Sequence, residues 1–179
     1  MASLMERMLG AAKLDPATYE EVERDATATP QAMLVVVLAN LAAGIGVIRE
    51  LGFGGLVVGT LISLMGWFAW ALVTYFVGTR LLPGSGTRAD VGQLLRTIGF
   101  AATPGLLRVL GIVPGLNWLV SLIAALWMLA AMVVAIRQAL DYETTGRAVA
   151  VCAIGFAINI VVATVLSRIL GVSGAVPGP

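Results

Sequence analysis

Residues Gly55–Thr79 read GLVVGTLISLMGWFAWALVTYFVGT, and no charged side chain interrupts them. An α-helix needs about 20 apolar residues to cross about 30 Å of hydrocarbon. The segment is therefore expected to be a transmembrane helix, and it sets the class of the whole chain. Composition agrees: of 179 residues 59% are hydrophobic and 12% charged, with a mean hydropathy of +0.97. Soluble domains carry about 25% charged residues, and so short a chain could not hide that much apolar surface from water.

Working outward, Thr29-Pro30 is a cap followed by a proline at a first helical position. It opens a span over residues 30–48, closed by Arg49-Glu50. Gly52-Phe53-Gly54 reads as a tight turn. Beyond Arg80, residues 81–90 (LLPGSGTRAD) form a polar loop rich in Pro, Gly and Ser. Further spans are expected at 114–136, ended by Arg137, and at 148–166, ended by Arg168, with the polar loop 137–147 between them.

Residues 92–113 are ambiguous. They carry Arg96 and Arg108, and Pro104-Gly105 interrupts them. Leu94–Gly99 (LLRTIG) echoes Leu106–Gly111 (LLRVLG), too few copies for a repeat fold. The two arginines stand about 18 Å apart along a helix. If each side chain snorkels outward by roughly 6 Å, their charges reach both edges of a 30 Å core. A kinked span and a re-entrant hairpin are both feasible, and the carbonyl that proline leaves unpaired favours burial among other helices.

The expectation is an all-α polytopic membrane protein of about five transmembrane helices in residues 30–170, the third short and proline-kinked. Amphipathic helices precede it in a head at 1–29, and a Gly/Pro-rich tail at 171–179 is expected to be disordered. In Met1–Leu14, the residues Leu4, Met5, Met8, Leu9 and Ala12 share one face, which should lie on the membrane surface or under the bundle. Asp15-Pro16 then caps a short acidic helix with Tyr19 and Val22 as apolar contacts. The head holds three basic and six acidic residues. It has no continuous apolar h-region, so insertion is expected to begin at the first span.

Basic residues favour the cytoplasmic side. Five spans with the N-terminus inside put eight of the eleven basic residues there, and four spans with a re-entrant third segment give the same split. The count places the N-terminus inside without fixing the number of spans.

The segment Leu14–Ala32 (LDPATYEEVERDATATPQA) resembles the amphipathic entry segment of bacterial members of the Yip-domain family, the Ypt/Rab-interacting type of membrane protein. Gly99–Leu140 resembles that domain's central pattern: a Thr-Pro in the third helix, a Pro-Gly before the fourth, a mid-helix tryptophan (Trp127) and a closing basic residue (Arg137). The resemblance covers about Leu14–Leu166. It implies five spans, a cytoplasmic N-terminus and a C-terminus across the membrane, in a bacterial cytoplasmic membrane. Eukaryotic members are linked to membrane trafficking through small GTPases of the Rab type. Their acidic DLYGP-like stretch is missing from this chain.

Polar residues inside spans are costly and often functional. Asn40 and Asn159 either line a polar pathway or hydrogen-bond between helices; the second reading is preferred because no mid-depth charge accompanies them. Trp67, Trp70 and Trp127 fall near mid-span, where each indole N–H needs an acceptor such as Asn40, Asn159, Ser63 or Thr164. They line a ligand cavity or, as preferred, pack in the core. Gly55, Gly59 and Ser63, with Ala39-Ala43 and Ala42-Gly46, form small-residue rows suited to close packing of the first two spans. Arg80, Arg88, Arg96, Arg137 and Arg147 are candidate contacts to anionic lipid headgroups. Glu20, Glu21 and Glu23 are a candidate partner-binding surface, facing water or pairing with Arg80, Arg88 or Arg147.

No catalytic set is visible. The chain has no histidine, one cysteine (Cys152, a packing residue in an apolar run), and no P-loop or GxSxG motif. Neither metal nor cofactor is implied, and the net charge of +1 argues against nucleic acid. The leading expectation is a non-enzymatic scaffold, adaptor or membrane organiser with a protein partner, and with oligomerisation open. The alternatives are a small-molecule or lipid transporter, which should show mid-depth charges and related halves, and an accessory subunit of a larger complex.

Overall fold

The computed structural model describes residues 2–45, 48–113 and 115–169. Hydrocarbon offers no partner to a backbone N–H or C=O, so apolar runs pair those groups internally as helices. Two short helices, α1 (Leu4–Ala12) and α2 (Pro16–Arg24), form the head. Then come α3 (Thr29–Ile45), α4 (Ile48–Phe76), α5 (Val91–Phe100), α6 (Asn117–Ala139) and α7 (Thr145–Ile169). No strand occurs among the described residues. Five segments are long and apolar enough to cross a membrane: Ala26–Ile45, Gly52–Leu81, Val91–Ile112, Asn117–Ala139 and Thr145–Val162. The expected disorder of the tail at 171–179 falls outside the described residues.

The turn foreseen at Gly52–Gly54 contracts to one residue. Gly52 takes φ 65° and ψ −179°, a conformation that L side chains rarely adopt, and the helix resumes at once. At its other end the span widens into a π-helical turn, Val77–Leu81.

The third span is α5 followed by a 3₁₀ segment, Thr103–Ile112, entered at Pro104. Ten α-residues rise about 15 Å and ten 3₁₀ residues about 20 Å, together enough for the hydrocarbon core. Its direction excludes a re-entrant hairpin. A Cβ on Gly99 would lie 2.7 Å from the Ala32 Cβ, and one on Gly105 would lie 3.2 Å from the Ala39 Cβ. Advancing along the third span thus advances along α3, and the two run parallel between these contacts. A Cβ on Gly105 would also lie 3.0 Å from the Met128 sulfur, and one on Gly111 would meet Asn117, so α6 runs antiparallel beside it.

Two apolar clusters hold the molecule. One joins Met8, Ala11, Tyr19 and Val22 of the head to Ala32, Val35, Phe100 and Ala131. The other joins Ala71 and Val77 to Leu94, Ile136, Leu140 and Val151, with Cys152 buried as a packing residue. The small-residue seam expected on α4 does not form at Gly59, which is exposed with open space where a side chain would stand. The α3–α4 approach instead comes at Gly44, against the Leu56 side chain; Gly46 lies outside the described residues. Leu61, Ile62, Met65 and Phe68 of α4 face outward, as suits a helix flank in lipid.

Candidate functional site

The head is built around a buried charge. Arg7 is 2% exposed. Its Nε donates to Glu21 Oε2 (3.0 Å), its Nη1 to Gln31 Oε1 (2.8 Å), and its Nη2 to Glu21 and Asp25. One guanidinium therefore ties α1 to the end of α2 and the start of α3. Of the apolar face expected on the membrane surface or under the bundle, Met8 and Ala11 are buried, while Met5 and Leu9 are exposed. A cation with three acceptors arranged around its planar fork satisfies its donors inside, and that outweighs the binary pattern. Glu21 consequently faces Arg7 and not Arg80, Arg88 or Arg147. Asp25 is held down at about 2 by hydrogen bonds, first from Thr27 and then from Arg7.

The head also packs along the side of α6. Trp127 Nε1 donates to the Ala12 carbonyl at 2.7 Å. Trp127 stands about 18 Å along α6 from Ala139, so the α1–α2 turn packs beside the span, not beyond its end. In that turn Leu14 holds φ 61°, and the Tyr19 hydroxyl donates to Ala11 O at 3.1 Å.

Arg96 is not a headgroup contact. It is 7% exposed, and its guanidinium donates to the carbonyls of Val22 (3.0 Å) and Glu23. Those are orphan acceptors at the C-terminal end of α2, where a cation is also favoured by the helix dipole. Glu23 likewise leaves the proposed partner surface. It is 7% exposed and accepts from Gln93 Nε2 at 2.9 Å. Burial pushes its carboxyl up to about 7, with Asp141 adding repulsion. Glu20 stays near the surface, paired with Arg24 at 2.8 Å.

At the same end of the bundle the loops of residues 82–90 and 140–144 clasp each other. The Tyr142 hydroxyl donates between the carbonyls of Gly78 (3.1 Å) and Leu82 (2.6 Å). Arg147 Nη1 donates to Pro83 O at 2.9 Å, and Arg137 closes its own loop through Tyr142 O and Glu143 O. Ser85 donates to Glu143 and Thr87 to Leu140 O. Of the five arginines nominated for headgroups, Arg80 and Arg88 are exposed without an ion pair among the described residues.

The intramembrane amides do not bridge helices. Asn40 donates to Val36 O (2.8 Å) and Asn159 to Gly155 O (3.5 Å), each one turn back on its own helix. Asn159 is exposed and Asn40 half-buried. A carbonyl one turn back is always within reach, so a short amide needs no neighbouring helix. The tryptophans bypass the expected side-chain acceptors for backbone ones: Trp67 donates to Leu95 O at 3.1 Å and Trp127 to Ala12 O. Trp70 stacks obliquely on Phe156, 4.7 Å between centroids.

Arg7, Gln31 and Gln93 escaped the sequence reading, because their partners lie 14 to 70 residues away. No cluster of His, Cys, Asp or Glu able to hold a metal occurs among the described residues. The arrangement offers binding surfaces: a polar head fixed on the bundle, two exposed arginines at Arg80 and Arg88, and a cavity between the spans. A family model described as the Yip1 domain matches residues 14–166. No curated protein and no solved structure matches the chain.

Proposed function

Because this chain belongs to the Yip1 domain family, we propose that it works as a non-enzymatic membrane scaffold or adaptor whose docked head recruits a protein partner. One observation carries this reading: the head is fixed to the bundle by buried guanidinium contacts at Arg7 and Arg96. A segment that served only as a flexible leader would not need such fixation. Its polar outer face, with Glu20 and Arg24, is thereby held in a set position on the bundle. The eight-to-three split of basic residues supports a cytoplasmic location for the head, and resemblance to bacterial members supports an inner membrane.

Glu21 and Glu23 belong to the internal contacts, so the test must leave them alone. The double variant E20K/R24E keeps the i,i+4 pair while inverting its pattern, and R80E/R88E inverts the two exposed arginines. Partners captured in mild detergent are compared by mass spectrometry. Loss of a partner with either variant, at unchanged protein yield, supports the adaptor reading. Retention of the full partner set by both variants overturns it and moves attention to the embedded surface.

A further inference from the structure

A cavity of about 230 Å³ lies between α3, α4, the third span and α6. Asn40 and Met128 line it, each about 17 Å from the head-side end of its helix. Its polar lining is Asn40, Ser63, Trp67, Trp70 and Arg108; the remainder is apolar or glycine.

The donors divide into two groups. Asn40, Ser63 and Trp67 direct theirs to the backbone carbonyls of Val36, Thr60 and Leu95. Trp70 Nε1 and Arg108 Nε are buried and have no partner. Both groups can only donate, so whatever satisfies them must accept, and the guanidinium makes an anion the fitting acceptor. A cation between apolar helices is stabilised by a counter-charge. No acidic residue falls within the five spans: they are in the head or at 50, 90, 141 and 143. Arg108 takes part in no ion pair among the described residues.

We propose that this cavity receives the phosphate of an anionic phospholipid, held by Arg108 and the Trp70 N–H. Arg108 stands four 3₁₀ residues, about 8 Å, from Ile112 at the end of its span. That places the guanidinium toward the end of the bundle opposite the head, with the Trp70 N–H deeper in the same cavity. The lining is of mixed kind: Val36, Ala39, Ile98 and Met132 surround the polar groups with apolar surface. A small hydrophilic anion would leave that surface without a matching partner.

The test uses the whole chain in detergent, with native mass spectrometry to count bound lipid. The probes are dioleoyl phosphatidylglycerol, dioleoyl phosphatidylcholine and inorganic phosphate. Wild type should hold one phosphatidylglycerol in preference to phosphatidylcholine. R108Q should bind it at least about tenfold more weakly and W70F about threefold, as charged and neutral hydrogen bonds differ, while R80Q/R88Q should bind as wild type does. If R108Q does not yield monodisperse protein, W70F decides, because it removes one N–H and keeps a ring. Equal binding by wild type and W70F or R108Q overturns the site, as does a loss confined to R80Q/R88Q. Displacement of the lipid by millimolar inorganic phosphate overturns the lipid assignment in favour of a free anion.

Discussion

Replacing Arg7 by methionine removes the charge while keeping most of the side chain's length and apolar stem. Breaking a fully buried ion pair costs about 3–5 kcal/mol, because the surviving charge stays buried without a partner. Here the survivors are partly wet: Glu21 is 39% exposed and Asp25 20%. Both rehydrate on small movements, so the figure falls to about 2–3 kcal/mol. The loss is local, since the network joins α1, α2 and the start of α3 and touches nothing in α4, α6 or α7. Hydrogen exchange of the purified protein, read by peptide mass, is the suitable assay. At 1.4 kcal/mol per factor of ten, amides of α1 and α2 should exchange about 30- to 140-fold faster in R7M. Those of α6 and α7 should not change. Unaltered exchange in α1 and α2 would show that the buried guanidinium does not hold the head, and the account of docking would fail. Faster exchange throughout would show that the head is not a separable unit.

Glu23 makes docking depend on pH. Both states carry its proton below pH 4.5; between pH 4.5 and about 7 the undocked carboxyl ionises first, so docking weakens as pH rises and the penalty is complete above 7. The penalty is about 2–4 kcal/mol, and E23Q should abolish the difference in head exchange between pH 5.5 and 8 after correction for intrinsic rates. A difference that persists in E23Q would show that the Glu23 carboxyl does not set the pH dependence of docking. G99V drives a side chain into the Ala32 Cβ at 2.7 Å and its carbonyl oxygen at 3.1 Å. It should cost about 1–3 kcal/mol and lower Tm, whereas G66A, whose Cβ meets nothing within 4 Å, should change stability by under about 0.5 kcal/mol. Y142F removes the hydroxyl joining residue 142 to the Gly78 and Leu82 carbonyls, and should cost about 1–2 kcal/mol with faster exchange at 82–90.

The spans were legible because a single physical quantity decides them: apolar length against bilayer thickness. The ends of runs were marked by residues that act locally, such as Asp15 capping α2 through the Ala17 and Thr18 amides. The third segment was left open because Arg96 and Arg108 look alike in sequence. In the structure they have opposite environments: Arg96 meets two carbonyls at the end of α2, and Arg108 lines the cavity with its Nε unpartnered. Hydrophobic periodicity assigns every charge to the outside, and so it misplaced Arg7, Glu23 and Arg96. Each is buried through a partner contributed by another element, at separations of 14, 70 and 74 residues. The same limit hid the tryptophan acceptors, since any backbone carbonyl is a candidate and sequence cannot say which one a fold brings near. The small-residue row on α4 misled for a related reason: small side chains permit close approach but do not compel it, and at Gly59 no helix arrives.

The central claim is a bundle of five spans with the head fixed at its cytoplasmic end. Reporters fused to each end of the full chain, one active only in the cytoplasm and one only outside, test it most directly. The account predicts a cytoplasmic signal from the fusion before Met1 and an outside signal from the fusion after Pro179. Both ends on one side would contradict the odd number of spans, and a head found outside would remove the surface on which the adaptor reading stands.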